Sequence, residues 1–407
     1  MATKEKGWFS FLQKSNRLSS LVIDEDIANL EDFYKSKGFW RARVGSPKRV
    51  PRKGGGIDLV IPVVEGPRYI VNAITFPDIK VFKKEELMPA LSLIGNMPYS
   101  SKKMRDDIRM VRSYYGSRGY ADVSVIPDVR EIEGAKVDIL YRITTGTRKR
   151  VGLVNIQGNT KSQDRVIRRE VPMQPGEFYN SVDLETTKRR LKNLGYFQDV
   201  QVTGAASSQE GYRDVNILVQ EQRTGTINFG LGFSSIDSIL GRINLEQSNF
   251  DITNWGRFTG AGQRFSVNLQ VGSQRTDFRV SLVEPWFLGQ KLSLGTDLYY
   301  RDLIFLSPEY DQTNVGASVF LRKPVGRRSY IKGEYRVETI EIEAENDTSQ
   351  VFKDEEDKYL RSALSLNYVY DSRDSNRLPR RGHKVDLGLI YAGGLLAGDV
   401  DTMTFTG

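Results

Sequence analysis

Cysteine is absent from all 407 residues, which excludes disulfides, thiolate metal sites and cysteine nucleophiles. Histidine occurs once, at His383, beside Gly382 and the pair Arg380-Arg381. A lone loop histidine completes neither a metal site nor a catalytic set. No apolar run approaches the roughly 18 residues of a membrane-spanning helix. Met1-Ala-Thr-Lys-Glu-Lys6 opens without the apolar core of a secretory leader, so a protein of this type is expected to be processed or a fragment. No catalytic, cofactor or metal site is expected, and the chain is not expected to be an enzyme. Acidic charge is in modest deficit, with 59 Lys+Arg against 51 Asp+Glu. The runs Arg148-Lys-Arg150 and Lys188-Arg-Arg190 fit solvated helix faces or loops, or contacts with anionic lipid headgroups or an acidic partner. No basic stripe with interleaved aromatics occurs, so nucleic acid is not an expected partner.

What is present falls into two halves. In the first, an amphipathic helical stripe is followed three times by glycine plus an aromatic, then by two short alternating strands. The stripes are Ile27/Leu30/Tyr34 behind Asp24 as a candidate N-cap, then Met104/Ile108/Val111/Tyr115, then Leu184/Leu191/Leu194. The glycines are Gly38, Gly119 and Gly195, roughly 80 residues apart and so a repeat of domain size rather than a solenoid unit. A helix that turns straight into a strand needs a left-handed residue after its last turn, which explains the glycine. The aromatic that follows is expected to pack back on the helix. The third unit also shows a first strand over 151–156, a turn at Gly158-Asn159, and Thr160-x-x-Gln163 as a candidate capping box. Each unit therefore reads β-α-α-β-β. The stretch before Gly38 is too short for a full unit, so the first is expected to lack its opening strand.

The second half starts at Thr226. Ile227, Phe229, Leu231 and Phe233 alternate with Thr226, Asn228, Gly230, Gly232 and Ser234. A strand with one apolar face and one glycine-rich polar face suits a wall with lipid on one side and a wet lumen on the other. Alternation recurs at Phe265/Val267/Leu269/Val271, Leu364/Leu366/Tyr368/Tyr370 and Val385/Leu387/Leu389/Tyr391. About nine strands run to residue 400, with 402–406 beginning another. Keeping Arg242, Glu246, Arg264 and Asp297 off the apolar face is what a barrel wall requires, although a β-sandwich tolerates the same pattern. Trp255 and Trp286 suit either membrane interfaces or core packing. The acidic residues over 343–357 mark a long polar loop, and residues 221–225 are read as a hinge between the halves.

Several groups of residues together resemble the BamA-type family of outer-membrane barrel-assembly factors, which carry POTRA repeats ahead of a barrel. In the last repeat these are Val166-Ile-Arg-Arg-Glu-Val171, Tyr179-Asn-Ser and Leu194-Gly-Tyr-Phe197. In the barrel half they are Thr224-Gly-Thr-Ile-Asn-Phe-Gly-Leu-Gly232, Asn249-Phe, Glu284-Pro-Trp-Phe-Leu-Gly289 and Asp371-Ser-Arg-Asp with Leu378-Pro and Gly382. The resemblance implies a fold class of α+β POTRA repeats followed by an antiparallel transmembrane β-barrel, here truncated, and decides for the barrel over the sandwich. The domains expected are a POTRA-like unit over 1–66 without its first strand, further units over 67–147 and 148–222, and the first part of a barrel over 223–407. Ser117-Arg-Gly-Tyr120 matches the family's inward-loop motif in letters only, because it sits at a helix end.

The function implied is folding and insertion of β-barrel proteins into the outer membrane, with the POTRA units in the periplasm. The expected partners are unfolded outer-membrane proteins, periplasmic lipoproteins and outer-membrane lipid. Substrate strands are expected to add to POTRA edges and to the first barrel strand at Ile227, Asn228, Phe229, Gly230 and Leu231. Arg168, Arg169 and Glu170 would dock a periplasmic lipoprotein; without the resemblance they read as a solvated helix. The alternatives are a polypeptide transporter of the same architecture, either two-partner or three-POTRA, and, least favoured, an enzyme carried on a barrel.

Overall fold

Each repeat closes its helix on a left-handed glycine, and the computed structural model shows all three. It describes residues 20–51, 57–77, 79–234, 238–304, 309–344, 350–354, 356–375 and 378–407; the Met1–Lys6 stretch of the leader argument lies outside these. Gly38, Gly119 and Gly195 have φ of +110°, +100° and +73°. Tyr34 meets Phe39 edge-on at 6.0 Å and Tyr115 meets Tyr120 at 6.0 Å, so in the first two repeats the following aromatic packs back on its helix.

In the first repeat, α1 (Ser20–Ser36) begins before Asp24, which therefore lies inside the helix and does not cap it. Ile23 extends the apolar stripe by one turn and is buried. Beyond Gly38, β1 (Arg43–Val44) pairs with β4 (Val63–Val64), and β2 (Lys48–Pro51) pairs with β3 (Ile57–Val60), both antiparallel. Pro62 has no N–H to continue the ladder, and its carbonyl accepts the Gly45 N–H at 2.8 Å.

The second repeat contains β5 (Ile70–Thr75), α2 (Lys84–Leu87), α3 (Ser101–Gly116), β6 (Ser124–Ile132) and β7 (Lys136–Thr144). Its sheet order is β5-β7-β6, with β5 parallel and β6 antiparallel to β7. Val111 and Tyr115 of the α3 stripe are buried against Val71, Leu87, Ile139 and Tyr141, with Met104 and Ile108 at the margin. Asp107 also faces this core. Its carboxylate accepts N–H bonds from Ser92 at 2.5 Å and Leu93 at 3.2 Å, and Tyr141 Oη donates to it at 3.3 Å. Burial nonetheless pushes its pKa up, outweighing those donors.

In the third repeat, β8 (Arg150–Gln157), α4 (Asp164–Arg168), α5 (Ser181–Leu194), β9 (Phe197–Ala206) and β10 (Tyr212–Glu221) give a sheet of order β8-β10-β9. The β-α-α-β-β order is thus realised in the second and third repeats.

From Gly225 the chain is a single antiparallel meander. Its strands are β11 (Gly225–Ser234), β12 (Ser238–Phe250), β13 (Gln263–Gly272), β14 (Arg275–Glu284), β15 (Ser293–Leu303), β16 (Tyr310–Val325), β17 (Ser329–Ala344), β18 (Lys358–Asp371), β19 (Lys384–Ala392) and β20 (Thr402–Thr406). Each strand pairs with its neighbour in sequence, so β11 and β20 are the outer strands. One face carries Val315, Val319, Ile331, Tyr335, Leu364 and Leu366, all substantially exposed. The other carries charge: Glu334 and Glu338 of β17 are buried among Lys332, Arg336 and Arg361, and Tyr299 donates to Glu338 at 2.6 Å. An apolar outer face over a paired, polar inner face is the pattern of a barrel wall. Of the polar loop expected over 343–357, the described part contains the short helix α6 (Gln350–Asp354).

The described residues group into two compact bodies. One holds the chain up to Asn155 with Val171–Thr187 and Val202–Asn216; the other holds Ile156–Glu170, Lys188–Gln201 and Ile217–Gly407. Segments of the third repeat thus belong to the same body as the ten-stranded sheet.

Candidate functional site

The five residues expected to form a substrate edge lie on β11. Its register with β12 sets Ile227 opposite Leu245, Phe229 opposite Ile243 and Leu231 opposite Gly241. Only this one side of β11 is paired among the described residues, so alternate N–H and C=O groups point away from the sheet. Its apolar face is the barest of the wall: Phe229 is 77% and Leu231 86% exposed. A β-carbon on Gly230 would meet only Arg242 Cβ at 3.9 Å, and one on Gly232 would meet nothing. Neither glycine has positive φ. Sterics therefore do not demand glycine here; its effect is to remove side-chain packing from the strand.

Arg168, Arg169 and Glu170 lie at the C-terminal end of α4 and split in direction. Arg168 is exposed and pairs with Asp164 at 3.0 Å. Arg169 turns inward, its guanidinium 5.6 Å from the Trp286 ring. Burial lowers its pKa, and its Nε has no hydrogen-bond partner among the described residues. Glu170 is half-buried and its carbonyl accepts from Arg190 Nη1 at 3.5 Å. The edge residues and the Arg-Arg-Glu group are on different elements, and no hydrogen bond or ion pair joins them among the described residues.

The sequence reading missed a network beside both. Thr160 and Gln163 do not form a capping box, because each side chain has a partner distant in sequence. Thr160 Oγ1 donates to Glu221 at 2.9 Å and Gln163 Nε2 donates to Asp251 at 2.7 Å. Glu221 also accepts from Lys161 N at 2.8 Å and Ser162 N at 2.6 Å. Burial opposes its ionisation, but the donors on Ser162, Thr160 and Lys161 outweigh it and hold the carboxyl below its usual range. Asn249, buried at the end of β12, donates to Ser162 Oγ at 2.9 Å and accepts from Gly262 N at 2.8 Å. Gly260 and Gly262 have φ of +127° and +75°, and a β-carbon on either would collide with Lys161 or Arg169. The expected hinge over 221–225 is thus gripped at its first residue: only Gln222–Thr224 link β10 to β11, and the Gln222 side chain donates to Gly195 O at 2.9 Å. The signals were present as Asn249-Phe-Asp and Gly260-Ala-Gly, but neither names its distant partner.

Comparison with known proteins fits this arrangement. A family model described as the Omp85 superfamily domain matches residues 257–407. The POTRA model, described as a surface antigen variable number repeat, matches 69–146 and 149–222. The outer membrane protein assembly factor BamA of Nitratidesulfovibrio vulgaris is 25% identical over 98% of this chain and 50% of its own length. That of Neorickettsia risticii is 24% identical over 93% of this chain and 50% of its own. Residues 257–407 thus match the Omp85 superfamily and residues 69–222 two POTRA repeats, and the chain as a whole is similar to BamA. The crystal structure of Haemophilus ducreyi BamA lacking POTRA domains 1–3 shares the fold, with a TM-score of 0.66 at 20% identity over 79% of this chain and 63% of that one. The chain spans about half the length of the two curated relatives. In family terms, the Glu221 network ties the last POTRA repeat to the first periplasm-side turn of the barrel wall. Glu284-Pro-Trp-Phe-Leu-Gly289 forms the next such turn, with Leu288 left-handed at φ +56°.

Proposed function

We propose that this chain is the POTRA-bearing half of a factor that folds β-barrel proteins and inserts them into the outer membrane, with its repeats in the periplasm. The observation that carries the reading is β11, an edge strand paired on one side among the described residues, loosely packed at Gly230 and Gly232 and bare at Phe229 and Leu231. Such an edge templates an incoming strand by main-chain bonding, and the driving force is strand pairing plus apolar burial, with no nucleotide needed. Barrels close because an open edge in lipid is costly. A substrate strand on β11 is stabilised by the same penalty.

In this reading unfolded outer-membrane proteins are the substrates, and Ile227 to Leu231 set the register. The test is photocrosslinking from positions 227, 229, 231 and 233 of the full-length protein during substrate assembly, with Leu294 of β15 as control. Crosslinks to nascent barrel proteins from β11 positions support the reading. Crosslinks from position 294 and none from β11 sink it.

A periplasmic lipoprotein would dock on exposed Arg168 and half-buried Glu170 at the end of α4, while Arg169 holds the helix against the Trp286 turn. A pull-down with Glu170→Lys should lose the lipoprotein; undiminished recovery returns the motif to a solvated helix end.

A further inference from the structure

The two ends of the barrel wall differ in the charge they expose. The end where β11 begins carries short turns with Lys323, Arg327, Arg328, Arg380 and Arg381, all exposed. Among the described residues none of these five is in an ion pair. The opposite end carries Glu343, Asp354, Glu356, Asp357, Asp399 and Asp401, also exposed. The carboxylates at the basic end are already engaged. Asp371 is held by Arg373 at 2.7 Å, and Asp374 accepts the backbone N–H groups of Arg380 and Arg381 at 2.9 and 3.2 Å.

Register brings the cations together. Asp371 N donates to Arg328 O at 2.8 Å and Asp374 N to Arg381 O at 3.0 Å, so the β16–β17 and β18–β19 turns are neighbours. Three large apolar side chains, Trp255, Leu288 and Leu378, project at the same end and are largely exposed. Unpaired arginine and lysine at the same end as exposed leucine and tryptophan is the composition of a membrane–water interface, where the apolar groups enter the acyl boundary and the cations meet headgroups. An acidic protein surface would match the charge and leave the leucines bare.

We propose that this rim is a binding site for anionic phospholipid headgroups in the leaflet on the repeat side of the membrane. The proposal rests on the strands crossing a membrane with the POTRA repeats on that side. Its phosphate-seeking groups are Arg327, Arg328, Arg380 and Arg381, with Lys323 on the outward face of β16. The attraction is between point charges and a charged surface, so lysine serves as well as arginine and salt weakens it.

The test uses the full-length protein folded into nanodiscs of phosphatidylcholine with about one-fifth phosphatidylglycerol, a composition chosen for the screened surface charge it gives. After extraction in mild detergent, the lipid retained per protein is measured by mass spectrometry. Wild type should retain phosphatidylglycerol over phosphatidylcholine. R327E/R328E and R380E/R381E should each lower that retention by about tenfold, whereas R327K/R328K should keep it. Heat-modifiable migration verifies that each variant is folded, and crosslinking from position 229 separates the outcomes. Loss of lipid with crosslinking intact supports the rim site; loss of crosslinking with lipid retained breaks the assembly reading and leaves the rim site standing. Equal retention of the two lipids, unchanged retention in the glutamate variants, displacement by millimolar inorganic phosphate, or stronger retention of a polyglutamate peptide would each overturn the proposal.

Discussion

Arg148 repeats in the second joint what Arg68 does in the first. Arg68 Nε donates to Lys37 O at 3.1 Å and Arg148 Nε to Arg118 O at 2.8 Å, each crossing the left-handed glycine that ends the preceding helix. A β-carbon on Gly38 would lie 2.9 Å from Arg68 Cγ, and one on Gly119 2.6 Å from Arg148 Cγ. The Tyr69 and Lys149 amides then donate to the Gly38 and Gly119 carbonyls, both at 2.8 Å. At Gly195 the arginine is replaced by Gln222, and no atom lies near the missing β-carbon. Joints between repeats and the joint to the barrel are thus chemically distinct.

Alanine substitution at the three glycines should separate strain from crowding. Gly195→Ala carries only the left-handed penalty, about 1 kcal/mol. Gly119→Ala adds displacement of Arg148 and should cost a further 1–2 kcal/mol or so. Urea unfolding of the POTRA repeats with tryptophan or far-UV detection checks the order; equal losses at the two sites would remove the arginine from the joint.

Glu221 gives the last joint a pH dependence. Its folded pKa lies below its unfolded value, so its stabilisation is present above the unfolded pKa and fades as pH falls through the folded one. Glu221→Gln leaves donors facing an amide and should destabilise the joint by about 1–3 kcal/mol. Limited proteolysis between residues 222 and 224 should rise on acidification in wild type. In the variant it should be high and insensitive to pH in that range; a wild-type profile flat to pH 3 would count against the network.

Legibility in the sequence followed the range of the interaction. Helix-ending glycines, the α3 stripe and strand alternation are local, and they stood out because period and φ requirement are written within a few residues. Asp24 misled because an N-cap signal says nothing of an apolar residue such as Ile23 that draws the helix further back. Thr160 and Gln163 matched a capping box, but partners about 60 to 90 residues away, Glu221 and Asp251, took both side chains. Arg169 read as solvated for the same reason, since its place against Trp286 depends on tertiary packing.

Residues 1–222 should remain soluble without detergent, whereas 223–407 should need it, because the outward face of the wall is predominantly apolar. Sedimentation of the two pieces checks this, and plain-buffer solubility of 223–407 would defeat the membrane reading.

Glycine in β11 should trade strength for exchange. Gly230→Val and Gly232→Val meet no steric bar and should strengthen the β11–β12 pairing by about 0.5–1 kcal/mol each. They should also slow substrate assembly. Faster assembly by either variant would mean the glycines serve something other than strand exchange.

Cysteine-pair trapping between β11 and a stalled substrate strand tests the central claim most directly, and these 407 residues hold no cysteine to remove. Single cysteines at 226 through 231 of the full-length protein are paired with single cysteines along the substrate's terminal strand. An added strand predicts disulfides at one fixed register, recurring at every second residue and so confined to one face of β11. Equal trapping at every pairing, or trapping only with cysteines placed on β15, would contradict it.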